Sequence, residues 1–207
     1  MSKEISYASG ASNKPLLGDT IGNKFDAIAS KYSEREAIIS VHQNIRLTYN
    51  ELAKKVNTLA KALISSNFKK GDRIGIWSSN NVEWLITQYA AAKAGVILVT
   101  INPAYRSHEL DYVLGQSGCK GVILQNQFKT SDYESMICEI CPEIKNVSPG
   151  ELKSHKFENL TTIISMTSSK VKGIFNWEDF LNLSKNIDDK KLQSRQEDLD
   201  SDDAINI

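Results

Sequence analysis

Short runs of β-branched and aliphatic residues alternate along this chain with stretches whose apolar positions recur every three or four residues. The runs predict buried strands, and the stretches predict amphipathic helices. The central predicted strands cover residues 73–77, 96–99 and 122–124. Because a helical stretch follows each strand, the order indicates parallel strands joined by crossover helices. The predicted fold class is α/β, with a doubly wound and mainly parallel sheet.

A small hairpin is predicted ahead of this sheet, from residues 37–41 and 45–47 joined by a polar turn. Thr48 follows the hairpin and stands three residues before Glu51. A threonine and a glutamate at this spacing form a capping box, which satisfies two otherwise unpaired backbone N–H groups. The box predicts the start of a helix, whose buried stripe would consist of Leu52, Val56, Leu59 and Leu63.

The later helices carry similar start and stop signals. Asn80 with Glu83 and Ser131 with Glu134 predict two more capped starts, and Ser107 is the predicted cap of the helix between them. Gly95 ends the first of these helices, because glycine accepts the left-handed conformation of a helix terminus. Gly118 and Pro142 are the predicted ends of the other two.

The pattern weakens after Pro142. Residues 161–165 predict a further strand and residues 177–183 a short helix. The acidic stretch over residues 197–203 is interpreted as a solvated loop, which is the usual role of a charge run. Residues 204–207 resemble the beginning of a strand, and a strand that starts at the last residue is unusual for a natural terminus.

Composition excludes several classes of function. The chain has 207 residues, of which 41% are apolar and 24% charged, and its 25 basic and 25 acidic side chains balance to a net charge of zero. A neutral balance argues against partners such as duplex nucleic acid or an anionic membrane surface. The most apolar run, residues 89–101, is interrupted by Lys93 and is shorter than the ~20 residues of a membrane span. No membrane span is predicted.

The terminus and the cysteines bear on the compartment. The N-terminal residues lack the apolar core of a secretory signal and match an arginine-rich transit peptide poorly. Three cysteines in a chain of this length form a sparse, odd set, which favours a reducing compartment. The sequence therefore predicts an intracellular protein.

Familiar catalytic motifs are missing from the sequence. There is no phosphate-binding glycine loop, and the pair Gly71 and Gly75 is interpreted as a turn that enters a strand, whereas a dinucleotide-binding loop should follow one. Cys138 and Cys141 form a C-x-x-C pair at a predicted helix C-terminus, where the helix dipole opposes a thiolate. The three histidines stand apart, and with Cys119 they supply too few ligands for zinc: His42, His108 and His155. We therefore predict no metal site, redox pair or nucleophilic triad.

The segment over residues 102–106, Asn-Pro-Ala-Tyr-Arg, is the strongest functional candidate. It joins a continuous apolar strand to the next helix. Ligands of an open parallel sheet bind at the carboxyl ends of its strands, and this segment starts at such an end. A purely structural role, as a rigid strand-to-helix connection, is the alternative, because such connections occur in any βαβ unit.

Two stretches resemble a known family. LTYNEL (residues 47–52) and AAAKAGVILVTINPAYRSHEL (residues 90–110) resemble the first two motifs of the adenylate-forming acyl-CoA synthetases. The similarity runs from about residue 6 to residue 207. Residues 6–22, 127–144 and 152–165 resemble most closely the medium-chain branch, acyl-CoA synthetase family member 2.

The resemblance implies an ATP-dependent fatty acid–CoA ligase. In this family a carboxylate and ATP give an acyl-adenylate, and the thiol of CoA then displaces AMP. The implied cofactors are ATP, Mg²⁺ and CoA, none of which is expected to bind tightly to this chain alone, and the implied substrate is a medium-chain fatty acid. The resemblance also places segment 102–106 near the route of the CoA pantetheine arm, which makes Ala104 and Tyr105 candidate CoA-binding residues.

The resemblance further implies a partial domain. Residues 1–20 would be an N-terminal extension. Residues 21–207 would be the N-terminal subdomain of the large domain, truncated before the phosphate-binding loop, and the chain alone would be inactive. Two other hypotheses stay open: a non-catalytic module or pseudo-ligase that docks on a partner or a CoA-like ligand, and a self-standing flavodoxin-like domain. Family resemblance suggests mitochondria, and the absence of a clear presequence keeps the cytoplasm open.

Overall fold

The computed structural model describes residues 13–14 and 17–207. Most of the predicted extension, residues 1–20, lies outside the described residues, as does most of the 6–22 stretch. The strands are β1 (Glu36–Ser40), β2 (Ile45–Thr48), β3 (Arg73–Trp77), β4 (Ile97–Ile101), β5 (Gly121–Leu124), β6 (Gln127–Phe128), β7 (Ser131–Asp132), β8 (Thr162–Ser165) and β9 (Ile174–Asn176). The α-helices are α1 (Ile21–Lys31), α2 (Tyr49–Ser65), α3 (Val82–Ala94), α4 (Ser107–Ser117), α5 (Tyr133–Ile140), α6 (Trp177–Asn182) and α7 (Asp189–Glu197).

The central sheet is parallel and has the strand order β4-β3-β5-β8-β9. The last residues of the chain pair with its β4 edge: the Leu98 N–H donates to the Ile205 carbonyl at 2.8 Å, and the Ile207 N–H donates to the Leu98 carbonyl at 2.9 Å. This pairing is parallel. The predicted parallel sheet is confirmed. Residues 204–207, which were predicted to begin a strand, pair with the edge strand β4.

Both faces of the sheet are covered, as a doubly wound fold requires. Ile74 and Ile76 of β3 face a core shared with helices α1, α2, α3, α6 and α7. Trp77, one residue further along the same strand, faces a second core that includes α4 and α5. Side chains that alternate along a strand thus enter two separate apolar layers, which explains the continuously apolar runs of the sequence.

The predicted hairpin and its capping box are present. Strands β1 and β2 pair in antiparallel fashion. The Thr48 side chain accepts a hydrogen bond from the Glu51 N–H at 3.2 Å, and the Glu51 carboxylate accepts one from the Thr48 N–H at 2.8 Å. Gly95 ends α3 with φ at +69°, also as predicted. For these three features, rules that involve only residues close together in the sequence were sufficient to predict the structure.

Three predicted helix caps are displaced by one residue. Asn81, rather than Asn80, caps α3 and accepts from the Trp84 N–H at 2.7 Å. Asp132, rather than Ser131, caps α5, because Ser131 pairs with Phe128 in the small β6–β7 hairpin. The cap of α4 is Arg106 rather than Ser107. Before α3 and α5 two adjacent residues can both cap, so the local sequence leaves the first residue of the helix to be decided by long-range contacts.

Several elements were absent from the sequence-based prediction, namely α1, α7, β9 and the β6–β7 hairpin. Helix α7 buries only Leu192 and Gln196, so its pattern has no broad apolar face. It is held instead by Arg195, whose guanidinium donates to the carbonyls of Phe68 at 3.2 Å and Ala94 at 2.9 Å. Long-range polar contacts of this kind leave no periodic signal in the sequence.

Glu197 is the last residue of α7, and the rest of the acidic stretch is a turn on the surface. Its residues are mostly exposed, which agrees with the solvated loop that was predicted. Lys70 ties it down, because its ammonium lies 2.7 Å from the Asp203 carboxylate and donates to the Asp198 carbonyl at 2.9 Å. Among the helices of the described residues, none is long and apolar enough to cross a membrane.

Candidate functional site

The carboxyl ends of the parallel strands meet at one edge of the sheet, where four loops lie together. These loops follow β3, β4, β5 and β8. Strand β3 lies between β4 and β5, while α3 and α4 pack on opposite faces. The crossover direction therefore reverses between β3 and β5, which makes this edge the topological switch point where open α/β sheets bind ligands.

Gln125 joins the two loops at the switch point. Its side-chain carbonyl accepts hydrogen bonds from the Ser78 hydroxyl at 2.9 Å, and from the N–H and hydroxyl of Ser79 at 2.8 Å each. Because one amide oxygen bridges the loops after β3 and β5, these loops form a continuous rim. The sequence carries no local signal for this bridge, since the partners are separated by 46 or 47 residues.

The 102–106 segment lies at the same edge, as predicted. Asn102 is exposed, and its side-chain oxygen accepts from the Ala104 N–H at 2.9 Å, while its carbonyl accepts from the Tyr105 N–H at 3.0 Å. Ala104 is exposed, and Tyr105 is partly buried against the α4–α5 core. The assignment of Ala104 and Tyr105 to CoA binding stays a prediction.

The segment continues into α4 through a charged junction. The Arg106 N–H donates to the Glu109 carboxylate at 3.0 Å, and the Arg106 guanidinium donates to the Ser131 hydroxyl at 2.8 Å. The hydrogen bond from the Arg106 backbone lowers the pKa of Glu109 below its ordinary value. The carboxylate is thus ionised at neutral pH and holds the start of the helix.

A polar cavity of about 300 Å³ lies beside this edge, next to the loops after β5 and β8. Its lining residues are Asn126, Gln127, Asp132, Glu134, Ser168 and Lys170. The Glu134 carboxylate accepts from the Ser169 hydroxyl at 2.9 Å. The sequence analysis missed this cavity, because it depends on how β8 pairs with β5.

The described residues do not fit a metal site. Between residues 17 and 207, no three or more His, Cys, Asp and Glu side chains converge in a way that could hold an ion. His42, His108 and His155 are all exposed and lie in separate elements. The Mg²⁺ ion that the family resemblance implies therefore has no ligand cluster among these side chains.

Comparison with a family model identifies the family of this chain. The model described as "AMP-binding enzyme" matches residues 25–207, which is most of the chain. The chain belongs to the AMP-binding enzyme family. The family resemblance read from the sequence is therefore confirmed.

Relatives within the AMP-binding enzyme family include mitochondrial medium-chain acyl-CoA ligases. The mouse protein, ACSF2, is 43% identical over 162 residues, which cover 78% of this chain and 26% of that protein. The zebrafish protein is 37% identical over 202 residues, which cover 98% of this chain and 33% of that protein. The chain thus spans about a quarter to a third of the length of these relatives.

Two solved structures share this fold. A long-chain fatty acid–CoA ligase from Archaeoglobus fulgidus superposes with a TM-score of 0.63 at 19% identity, covering 89% of this chain and 33% of that chain. The N-terminal domain of FACL13 from Mycobacterium tuberculosis gives a TM-score of 0.59 at 20% identity, covering 82% of this chain and 37% of that chain. The predicted fold class, an α/β fold with a doubly wound parallel sheet and a small hairpin, is confirmed.

The C-x-x-C pair of this AMP-binding enzyme lies where the sequence predicted it. Cys138 is in the last turn of α5 and Cys141 directly follows the helix, and both are buried and form no disulfide bond, as is also true of Cys119. Burial raises the pKa of all three thiols, and it raises that of Cys141 to about 11. Thiols in this state are poor nucleophiles at neutral pH.

We expect the three cysteines of the native chain to resist alkylation at pH 8. With a pKa of about 11, the thiolate population of Cys141 is on the order of a hundredfold lower than that of a free cysteine. Iodoacetamide labelling followed by mass spectrometry measures this directly, and the guanidinium-unfolded chain, in which all three should react, is the control. Rapid labelling of Cys138 or Cys141 in the native chain would contradict the prediction.

Proposed function

We propose that this chain forms the N-terminal subdomain of the AMP-binding domain in a medium-chain fatty acid–CoA ligase. The proposed overall reaction converts a medium-chain fatty acid, ATP and CoA into acyl-CoA, AMP and pyrophosphate, through an acyl-adenylate. The observation that carries the proposal is the 43% identity to the mouse medium-chain ligase over 162 residues. Identity at this level over most of the chain supports a shared reaction as well as a shared fold.

The chain would contribute a scaffold and one wall of the CoA route. Residues 21–207 are assigned to the partial AMP-binding domain and residues 1–20 to an N-terminal extension. Ala104 and Tyr105 are assigned to the wall that the pantetheine arm passes. Support for this assignment comes from the position of segment 102–106 at the carboxyl end of β4, which is the ligand-binding edge of an open α/β sheet.

The isolated 207-residue polypeptide is expected to be inactive in adenylation. This expectation is supported by the length of the chain, which spans only about a quarter of the mouse ligase. We expect no octanoate-dependent ATP–pyrophosphate exchange above the background of an enzyme-free control. Exchange above that background by the purified polypeptide would overturn this part of the proposal.

The transcript beyond codon 207 distinguishes the ligase from a non-catalytic module. A reading frame that continues into a serine-, threonine- and glycine-rich loop and a later lysine is the result expected for the ligase. The product of that frame should then form octanoyl-CoA from octanoate, ATP and CoA. A stop codon after Ile207, together with stable expression, would favour a module that docks on a partner or a CoA-like ligand.

A mitochondrial location is proposed on the same basis. The mouse relative is named as a mitochondrial protein. Subcellular fractionation with antibodies against this chain is the direct test, and recovery in the cytoplasmic fraction alone would overturn the assignment.

A further inference from the structure

Two buried aromatic side chains contact segment 102–106 from the core side. Trp77 is the last residue of β3 and Tyr133 is the first residue of α5, and both are fully buried. Their rings stack with centroids 3.6 Å apart and planes inclined by only 6°. The two residues are separated by 56 positions in the chain, so the sequence alone does not reveal the pair. We call this pair the aromatic clamp.

Each ring of the aromatic clamp carries a polar group that reaches the segment. The indole N–H of Trp77 donates to the Asn102 carbonyl at 3.2 Å. The phenol O–H of Tyr133 donates to the next carbonyl, that of Pro103. A buried indole or phenol normally needs such a partner, and here both partners are consecutive carbonyls of the main chain.

Together with the turn formed by Asn102, these bonds fix the backbone. The N–H groups of Ala104 and Tyr105 are both directed to Asn102, as described above. Burial raises the pKa of Tyr133 to about 12, so its phenol stays protonated and remains a donor throughout the physiological range. The conformation of the segment is therefore held from the core side as well as by its own turn.

These bonds also decide which main-chain polar groups the segment can offer to a ligand. Its N–H groups at Ala104 and Tyr105 are used internally, whereas no donor within residues 17–207 reaches the carbonyls of these two residues. Carbonyl oxygens accept hydrogen bonds and repel phosphate. A ligand segment with amide N–H groups, such as a pantetheine arm, is suited to this surface.

We propose that Trp77 and Tyr133 are positioning residues, which hold the main chain of residues 102–105 so that the backbone at Ala104 and Tyr105 presents carbonyl acceptors to the ligand. This inference rests on the proposed function for the identity of the ligand. The role of the two side chains in holding the backbone of residues 102–105 does not depend on the proposed function. The competing explanation is that both rings merely fill the core.

The variant Tyr133→Phe separates these two explanations. Phenylalanine fills the same space and keeps the stack, but it removes the O–H donor and leaves the Pro103 carbonyl without its partner. We expect the amide protons of Ala104 and Tyr105 to exchange with water about fivefold to tenfold faster, since one buried hydrogen bond is lost. The measurement is water-exchange NMR on the ¹⁵N-labelled 207-residue chain.

Controls keep the result specific to the segment. Tyr112→Phe removes the hydroxyl of an exposed tyrosine on α4 and should leave both exchange rates unchanged. Trp77→Phe, which removes the indole N–H, should accelerate exchange at Tyr105, whose acceptor is the same Asn102 carbonyl. Unchanged rates in Tyr133→Phe, or an acceleration shared equally by the amides of β3 and β5, would overturn the positioning role.

A titration with CoA separates failure of this inference from failure of the proposed function. We expect millimolar CoA to shift the amide signals of Ala104 and Tyr105 in the wild-type chain, and the apparent affinity to fall at least threefold in Tyr133→Phe. No shift in the wild-type chain would overturn the CoA assignment, while the exchange rates would still decide the role of the clamp. A shift of equal affinity in both chains would overturn the link between clamp and ligand.

Discussion

Asp26→Ala is expected to lower the free energy of unfolding by about 2–3 kcal/mol, because it strands a buried ammonium ion. Lys93 of α3 is only 1% exposed, and its ammonium lies 2.6 Å from both carboxylate oxygens of Asp26 on α1. Asn57 on α2 accepts its third hydrogen bond, also at 2.6 Å. Without the carboxylate, one neutral amide would have to compensate the buried charge. Because Asp26 is 40% exposed, water reduces the loss somewhat.

The matched variant is Lys93→Met, which removes the charge and keeps an unbranched apolar chain. Replacing a buried charge by an apolar side chain of similar volume is often close to neutral, so we expect a change within about 1 kcal/mol. The double variant Asp26→Ala with Lys93→Met should then recover most of the stability lost by Asp26→Ala. Urea unfolding measures the free energy of unfolding of all three variants. Equal losses for Asp26→Ala and Lys93→Met would contradict the explanation by a stranded charge.

Gly173→Ala is the second change with a large expected effect. A Cβ atom at this buried position would lie 2.1 Å from the Ile144 carbonyl oxygen and 2.9 Å from its carbonyl carbon. Both are backbone atoms of the 3₁₀ turn Pro142–Asn146, which cannot rotate away as a flexible side chain could. We expect a loss of about 3 kcal/mol, at the upper end for overpacking in a well-packed core. Thermal and urea unfolding provide the measurement.

Gly115→Ala is the control for that experiment. Gly115 lies on the exposed face of α4, and a Cβ there would meet nothing within 4 Å. Alanine in a helix is favoured over glycine by about 0.5–1 kcal/mol, so this variant should be slightly more stable than the wild type. A Gly173→Ala chain as stable as the wild type would show that the turn can move away from β9.

The candidate site was only partly accessible to sequence reasoning. The position of segment 102–106 at the end of a buried strand followed from the apolar run before it and the helix after it. The aromatic clamp, the Gln125 bridge and the polar cavity did not, because their members come from loops and elements far apart in the chain. Nothing in the local pattern marks Trp77 or Tyr133 as different from any other core aromatic residue.

The sequence by itself determined the alternation of strands and helices, the hairpin, the Thr48–Glu51 capping box and the family, because each depends on residues close together in the chain. Only the tertiary structure decided the strand order β4-β3-β5-β8-β9, the docking of α1 through Lys93 and Asp26, and the tight approach at Gly173. Those features come from contacts between distant segments. Periodicity and capping report which face of an element is buried, but they do not report which other element covers it.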